Sequence, residues 1–298
     1  MKILVIFTGG TIGSRLKNGW IGPDKKLKYI LINNYIATEN DDVEFVPLEP
    51  YSLLSENLTS EEINILIKTV GENLQSDYDG IIITHGTDTL QYSAAALNLM
   101  LGDNSLPVVL VSANKPLCDP DSNGNTNFKA AVNAIKQGEL KGVWVAYKND
   151  GEDAKLHRGA DLLSHAEGSD SITSCSAHQP IEPIGSFNLC DDPKLLVIDV
   201  HPGDGYNYSV EKYNAVIIKP YHSGTLNTNN KNFIEFCNAA AKHNIPVFVT
   251  NVPEGELYES SKEYEKLNII PLKKMPFVLS FVKLWIEVSM GKDLKEIL

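Results

Sequence analysis

The chain has 298 residues, 43% of them hydrophobic, enough to bury a full core and to fill two domains of ordinary size. Its formal charge of -12 argues against nucleic acid and anionic membranes as partners, since both are held by clustered Lys and Arg. No apolar run reaches membrane-spanning length. Met1 leads straight into an apolar strand with no room for a signal peptide, and the four cysteines show no CxxC spacing, so a cytoplasmic protein with reduced thiols is expected.

The run Ile3 to Phe7 has no polar alternation and reads as a strand buried on both faces, as in a parallel sheet. It ends in Thr8-Gly-Gly-Thr-Ile-Gly13, where Gly9 and Gly10 allow a sharp turn and close approach of a ligand to the backbone. Thr11 stands at the mouth of the sheet, where α/β proteins bind ligands, and it either reacts there or caps a helix. The glycine spacing fits neither a dinucleotide fingerprint nor a P-loop, which disfavours a nucleotide-binding protein. Ser14 to Tyr29 is rich in Gly, Lys, Asn and Pro and reads as a mobile loop. Trp20 in its middle is either a lid over substrate or a pin holding the loop to the body.

Val43 to Pro47 reads as a second strand, followed by a loop with Ser55 and Glu56 and a helix capped by Thr59 or Ser60. The apolar strand Gly80 to Thr84 then runs into His85-Gly-Thr-Asp-Thr89 and an Ala-rich helix over Leu90 to Leu101. Two strands ending alike would point Thr11, Thr87 and Asp88 into one crevice. Helix capping also accounts for Thr87 or Asp88 taken singly. Further strands are expected at Pro107 to Val111 and Gly142 to Tyr147, with a helix around Ala130 to Ile135 between them. Residues 148–184 are polar and irregular and leave room for short strands or a hairpin. Another strand is expected at 195–200. A smaller unit follows, with strands at 215–218 and 246–250 and helices at 230–243 and 276–290.

The pattern is that of an α/β protein with a doubly wound, mostly parallel sheet in a larger N-terminal domain (1–190), a linker (191–205) and a smaller C-terminal α/β domain (206–298). Cys175 and His178 are close in sequence, but no second ligand pair accompanies them, so neither a metal nor a cofactor is expected.

Thr8-Gly-Gly-Thr-Ile-Gly13 together with His85-Gly-Thr-Asp-Thr89 resembles the bacterial-type asparaginase/glutaminase family, its cytoplasmic type above all. Ser55-Glu-Asn-Leu-Thr59, Pro116-Leu-Cys-Asp-Pro-Asp-Ser-Asn-Gly124, Ile270-Pro-Leu-Lys-Lys-Met275 and Val282-Lys-Leu284 extend the likeness over nearly the whole chain. The resemblance implies an amidohydrolase that splits the side-chain carboxamide of asparagine, and sometimes glutamine, through an acyl-enzyme. It places Thr11 as nucleophile, Thr87 and Asp88 as the second Thr and its acidic partner, and Asp88 also at the substrate's α-amino group. Ser55 matches the holder of the substrate carboxylate, Glu56 stands where the family often has Gln or Ser, and Gly10, Gly86 and Ala113 line the same pocket. Amides near Gly10 and Thr87 are the expected oxyanion donors.

Asn227 matches a residue given by a neighbouring subunit, which implies a homodimer or homotetramer. Two positions depart from the family. Trp20 replaces a Tyr and has no ionisable hydroxyl. Ser164 falls where a Lys is expected, and Lys155 and His165 are the stand-ins at hand in sequence. These losses keep a second reading in view, a weakened homologue that binds an amino acid, beside a third, a glutamine-using amidotransferase subunit.

Overall fold

The computed structural model describes residues 1–298 apart from 25–28, 40, 104, 177–179, 256–257, 274 and 295–298. The chain divides into two compact units, the first formed by residues 1–176 and 180–187 and the second beginning at Asn188.

The first unit is built on six strands: β1 (Lys2–Phe7), β4 (Glu44–Leu48), β5 (Gly80–Thr84), β6 (Val108–Val111), β7 (Val143–Tyr147) and β8 (Lys155–Arg158). Their order is β4-β1-β5-β6-β7-β8, parallel except for the antiparallel last strand. Alternate residues face opposite sides, as strand geometry requires. Ile3, Val5, Ile82 and Val109 pack under α1 (Ile30–Thr38) and α4 (Gly124–Lys136) through Leu31, Tyr35, Phe128 and Val132. Leu4, Ile6, Ile81 and Ile83, on the other face, are equally buried. Two more helices, α2 (Ser60–Asn73) and α3 (Leu90–Leu101), complete the unit. Thr59 caps α2 with a full capping box that includes Glu62.

Strand order fixes where a ligand belongs. The chain leaves β1 for β4 on one side and then crosses to β5 on the other, so the direction of growth reverses between β1 and β5. The carboxyl ends flanking such a reversal form the binding crevice of open α/β sheets.

Several expectations are corrected here. Residues 14–23 are not a loop but an antiparallel hairpin, β2 (Ser14–Lys17) and β3 (Trp20–Pro23), with Leu16 opposite Ile21. Asn18 and Gly19 both have positive φ, 53° and 82°, the requirement of a two-residue hairpin turn. Helix α4 starts at Gly124, earlier than the apolar pattern indicates. The polar stretch after β7, by contrast, holds a short strand as expected, β8, and a bridge between Leu162 and Ser174.

The second unit carries a parallel sheet ordered β12-β11-β10-β9, formed by β9 (Leu195–Asp199), β10 (Ala215–Lys219), β11 (Val247–Val252) and β12 (Ile269–Lys273), with α5 (Lys231–Lys242) and α6 (Phe277–Ser289). Leu195–Asp199, placed by sequence in the connecting stretch, is thus a strand of this sheet. No helix among the described residues is long and apolar enough to cross a membrane.

At the end of β8, the Arg158 side chain, 7% exposed, holds Asp103 at 2.6 Å and Asp161 at 3.1 Å. Partial burial works against ionisation of Asp103. The hydrogen bonds and charge of Arg158, with the Ile181 amide, outweigh it and hold that carboxyl below the usual carboxylate range. Removing one partner of a buried ion pair strands the others, so Arg158→Met is expected to lower the free energy of unfolding by about 3 kcal/mol in urea titration.

Candidate active site

Three turns converge at the reversal of the first sheet. The Thr8 hydroxyl donates to the Thr84 carbonyl at 2.6 Å, tying the end of β1 to the end of β5. On the other side, the Leu53 amide donates to the Thr8 carbonyl at 3.1 Å and the Gly10 amide to the Leu53 carbonyl at 2.8 Å. Gly10 has φ 77°, and a β-carbon there would lie 2.4 Å from the Gly86 nitrogen. A β-carbon on Gly86 would lie 2.3 Å from Ser55 Oγ. The main chains of Gly10 and Gly86 therefore touch, and the Ser55 side chain fills the space against Gly86 that a β-carbon would take.

The functional side chains radiate from this contact. Thr11, half-buried, lies inside a short 3-10 turn whose cap is Gly10, so it is not itself the cap. Ser55, 4% exposed, donates to Asp88 Oδ2 at 3.4 Å, and Thr89 Oγ1 donates to the Ser55 carbonyl at 2.9 Å. The N-cap of α3 is Thr89, so a capping role is not what places Thr87 and Asp88. Thr87 is half-buried, Asp88 and Glu56 are exposed, and Ala113 is fully buried against Gly124.

Two assignments change. The Gly10 amide is spent on Leu53, so an oxyanion donor near Gly10 would have to be a neighbouring amide; Gly10 itself lets Gly86 come close. Trp20 is 80% exposed, which removes the reading in which it pins its segment to the body.

Of the remaining candidates, Lys155 pairs with Glu152 at 2.9 Å, and Ser164 is exposed. His165 is drawn in, its Nε2 making a hydrogen bond of 3.0 Å to the Thr87 carbonyl. Asn227 belongs to the second unit and is exposed there. A polar cavity of about 740 Å³ opens along the sheet at the ends of β6 and β7, lined by Asn114, Lys115, Asn123, Tyr147 and Lys148 among others. None of the expected catalytic residues lines it, and the reversal of strand order is the better guide to the chemistry. Among the described residues no cluster of three or more His, Cys, Asp or Glu could hold a metal ion; His178 lies outside them.

Sequence reasoning assigned no role to His85, which the structure buries at 2% exposure. Its Nδ1 is 2.8 Å from the Gly86 carbonyl and its Nε2 2.9 Å from Ser93 Oγ. A carbonyl only accepts, so Nδ1 carries the proton and Nε2 accepts from Ser93. Its place directly after a fully apolar strand was the signal for a buried structural histidine.

The family profile described as "Asparaginase, N-terminal" matches residues 2–185. The chain is 25% identical to an L-asparaginase of Thermococcus kodakarensis over 323 residues, covering 100% of this chain and 95% of that protein. The solved structure of a thermostable L-asparaginase from the same organism superposes with a TM-score of 0.80 over 100% of this chain and 95% of the other, at 25% identity. L-asparaginase I of Vibrio cholerae shares the fold, with a TM-score of 0.75 at 22% identity over 99% of this chain and 95% of that one. A component of the glutamyl-tRNA(Gln) amidotransferase of Methanococcus vannielii is 26% identical, covering 95% of this chain and 73% of the relative.

The glycine contact makes a sharp contrast testable. Gly10→Ala forces a β-carbon onto Gly86 at positive φ and is expected to cost about 3 kcal/mol of stability. Gly13→Ala, with nothing within 4 Å of the added carbon, should stay within about 0.5 kcal/mol. Urea denaturation of both tests the close approach.

Burial pushes the His85 imidazole below its ordinary range. The unfolded chain then binds a proton that the folded one refuses, so stability is lost as pH falls below about 6.5, at up to about 1.4 kcal/mol per pH unit for one proton. His157, depressed first by burial, adds in the same direction. His85→Asn, which keeps a donor for the Gly86 carbonyl, should flatten the slope between about pH 5 and 7 by up to one proton's worth.

Proposed function

Because the chain belongs to the asparaginase family, we propose that it is an amidohydrolase that converts L-asparagine to L-aspartate and ammonia through a Thr11 acyl-enzyme. The observation that carries this reading is the convergence of Thr11, Thr87, Asp88 and Ser55 on one main-chain contact at the strand-order reversal.

A carboxamide is a poor electrophile, and splitting its hydrolysis into acylation and deacylation at a hydroxyl lowers each barrier. Thr11 Oγ attacks the amide carbon, and ammonia leaves with the hydroxyl proton. Water then attacks the ester, releasing aspartate and restoring the threonine. Asp88, exposed and aligned by Ser55, offers a carboxylate to the substrate's α-amino group. As the α-amino group takes its place on Asp88, the buried Ser55 hydroxyl turns its one proton from Asp88 to the α-carboxylate, which the amides of its turn also receive. The likeness to asparaginases supports a homo-oligomer in which the exposed Asn227 completes a neighbour's site. A cytoplasmic setting agrees with Cys118, Cys175, Cys190 and Cys237 forming no disulfide.

A second reading, a glutamine-using amidotransferase component, rests on the coverage of 95% of this chain by the amidotransferase relative. Substrate choice separates them. Ammonia release from L-asparagine by the protein alone is expected, with Thr11→Ala and Thr87→Ala each lowering kcat by about 10³-fold or more. Turnover of glutamine but not asparagine favours the amidotransferase reading. Full activity in Thr11→Ala sinks the proposed nucleophile.

A further inference from the structure

His165 is joined to the site by one ring nitrogen and leaves the other idle. Its Nε2 lies 3.0 Å from the Thr87 carbonyl. The carbonyl has no proton to give, so Nε2 carries one. Nδ1 is buried and has no hydrogen-bond partner among the described residues. With the Nε2 proton directed at that carbonyl, Nδ1 is the ring nitrogen left to accept. A buried polar atom left unsatisfied beside a reactive turn calls for a role.

The other stand-ins for the family's lysine do not fill this position. Lys155 is engaged with Glu152, and the exposed Ser164 hydroxyl is no base. The clasp to Thr87 spans 78 residues of sequence and sits at the end of the segment that Arg158 anchors through Asp103 and Asp161. The imidazole is thus held by a fixed support and is not left on a loose loop.

We propose that His165 is the proton acceptor of the Thr87–Asp88 turn, its Nδ1 taking the proton that the Thr87 hydroxyl gives up during deacylation. This inference rests on the amidohydrolase reading above. As water attacks the acyl carbon, a new C–O bond forms and the water proton passes to Thr87 Oγ1. Thr87 in turn passes its own proton to Nδ1, giving an imidazolium. When the bond from the acyl carbon to Thr11 Oγ breaks, the proton returns through Thr87 to Thr11, and His165 is neutral again. Nothing is oxidised or reduced. Catalytic hydrogen bonds of this kind tighten only when substrate is present, so the idle Nδ1 is the resting form.

The test separates the clasp from the base. In His165→Gln the side-chain Nε2 still donates to the Thr87 carbonyl, but no basic nitrogen remains. His165→Gln is expected to keep KM and thermal stability while kcat falls by about 10²-fold or more, the ordinary effect of losing a general base. His165→Gly should lose as much and regain activity with added imidazole, in a concentration-dependent way. Wild-type kcat in His165→Gln overturns the inference, as does a His165→Gly protein that stays folded and is not rescued. A wild type that releases no ammonia from either amide defeats the amidohydrolase reading itself, which an active wild type with an active Gln variant leaves intact.

Discussion

The main-chain contact between Gly10 and Gly86 is the constraint on which the site depends. The missing β-carbons let the ends of β1 and β5 meet at distances that no side chain tolerates, 2.4 Å from an added carbon to the neighbouring nitrogen. Thr11 and Thr87 are the residues immediately after these glycines, so the backbone contact sets their separation. Side-chain rotamers alone would hold them less rigidly. Ser55 closes the third side by packing on Gly86 and by donating to Asp88. The Thr8–Thr84 hydrogen bond beneath keeps the two strand ends from shearing.

A second layer supports this one at longer range. Arg158 binds Asp103, which follows α3, and Asp161, which follows β8. Asp103 also accepts from the Ile181 amide at 2.9 Å. One buried guanidinium thus ties the chain leaving α3, the turn after β8 and the returning segment into a single fixture. The fixture is costly in desolvation, and it is stable because every charge in it has a partner. Its consequence is local order in the polar stretch that delivers His165 to Thr87.

Much of this was legible in sequence because parallel strands buried on both faces leave continuous apolar runs. The strands at 3–7, 80–84 and 143–147 and the α/β class could be read that way, and the paired glycine-threonine turns marked the candidate site. What escaped lacked such a signature. Helix α1, Ile30–Thr38, is rich in β-branched and Asn residues and has no side-chain cap, so its propensity is poor and packing against α4 determines it. The Asn18-Gly19 hairpin was a turn signal hidden in a polar stretch. The hydrogen bond between His165 and Thr87 and the use of the Gly10 amide by Leu53 are long-range pairings, which no local pattern encodes.

The two sheets differ in a way that bears on the division of labour. The second sheet grows in one direction from β9 to β12, so it has no reversal and no crevice of the kind that flanks β1 and β5. A contribution to chemistry from this unit must come from its loops. The turn before α5 is built firmly enough for that. The Gly224 amide donates to the Tyr221 carbonyl at 2.8 Å, and the Tyr264 hydroxyl donates to the Gly224 carbonyl at 2.7 Å from within the core. Leu226 and Thr228, on either side of Asn227, are buried while Asn227 itself is exposed. A polar side chain held outward between two buried neighbours has already lost much of its backbone freedom. Fixing such a side chain on any binding surface costs less ordering entropy than fixing a free loop.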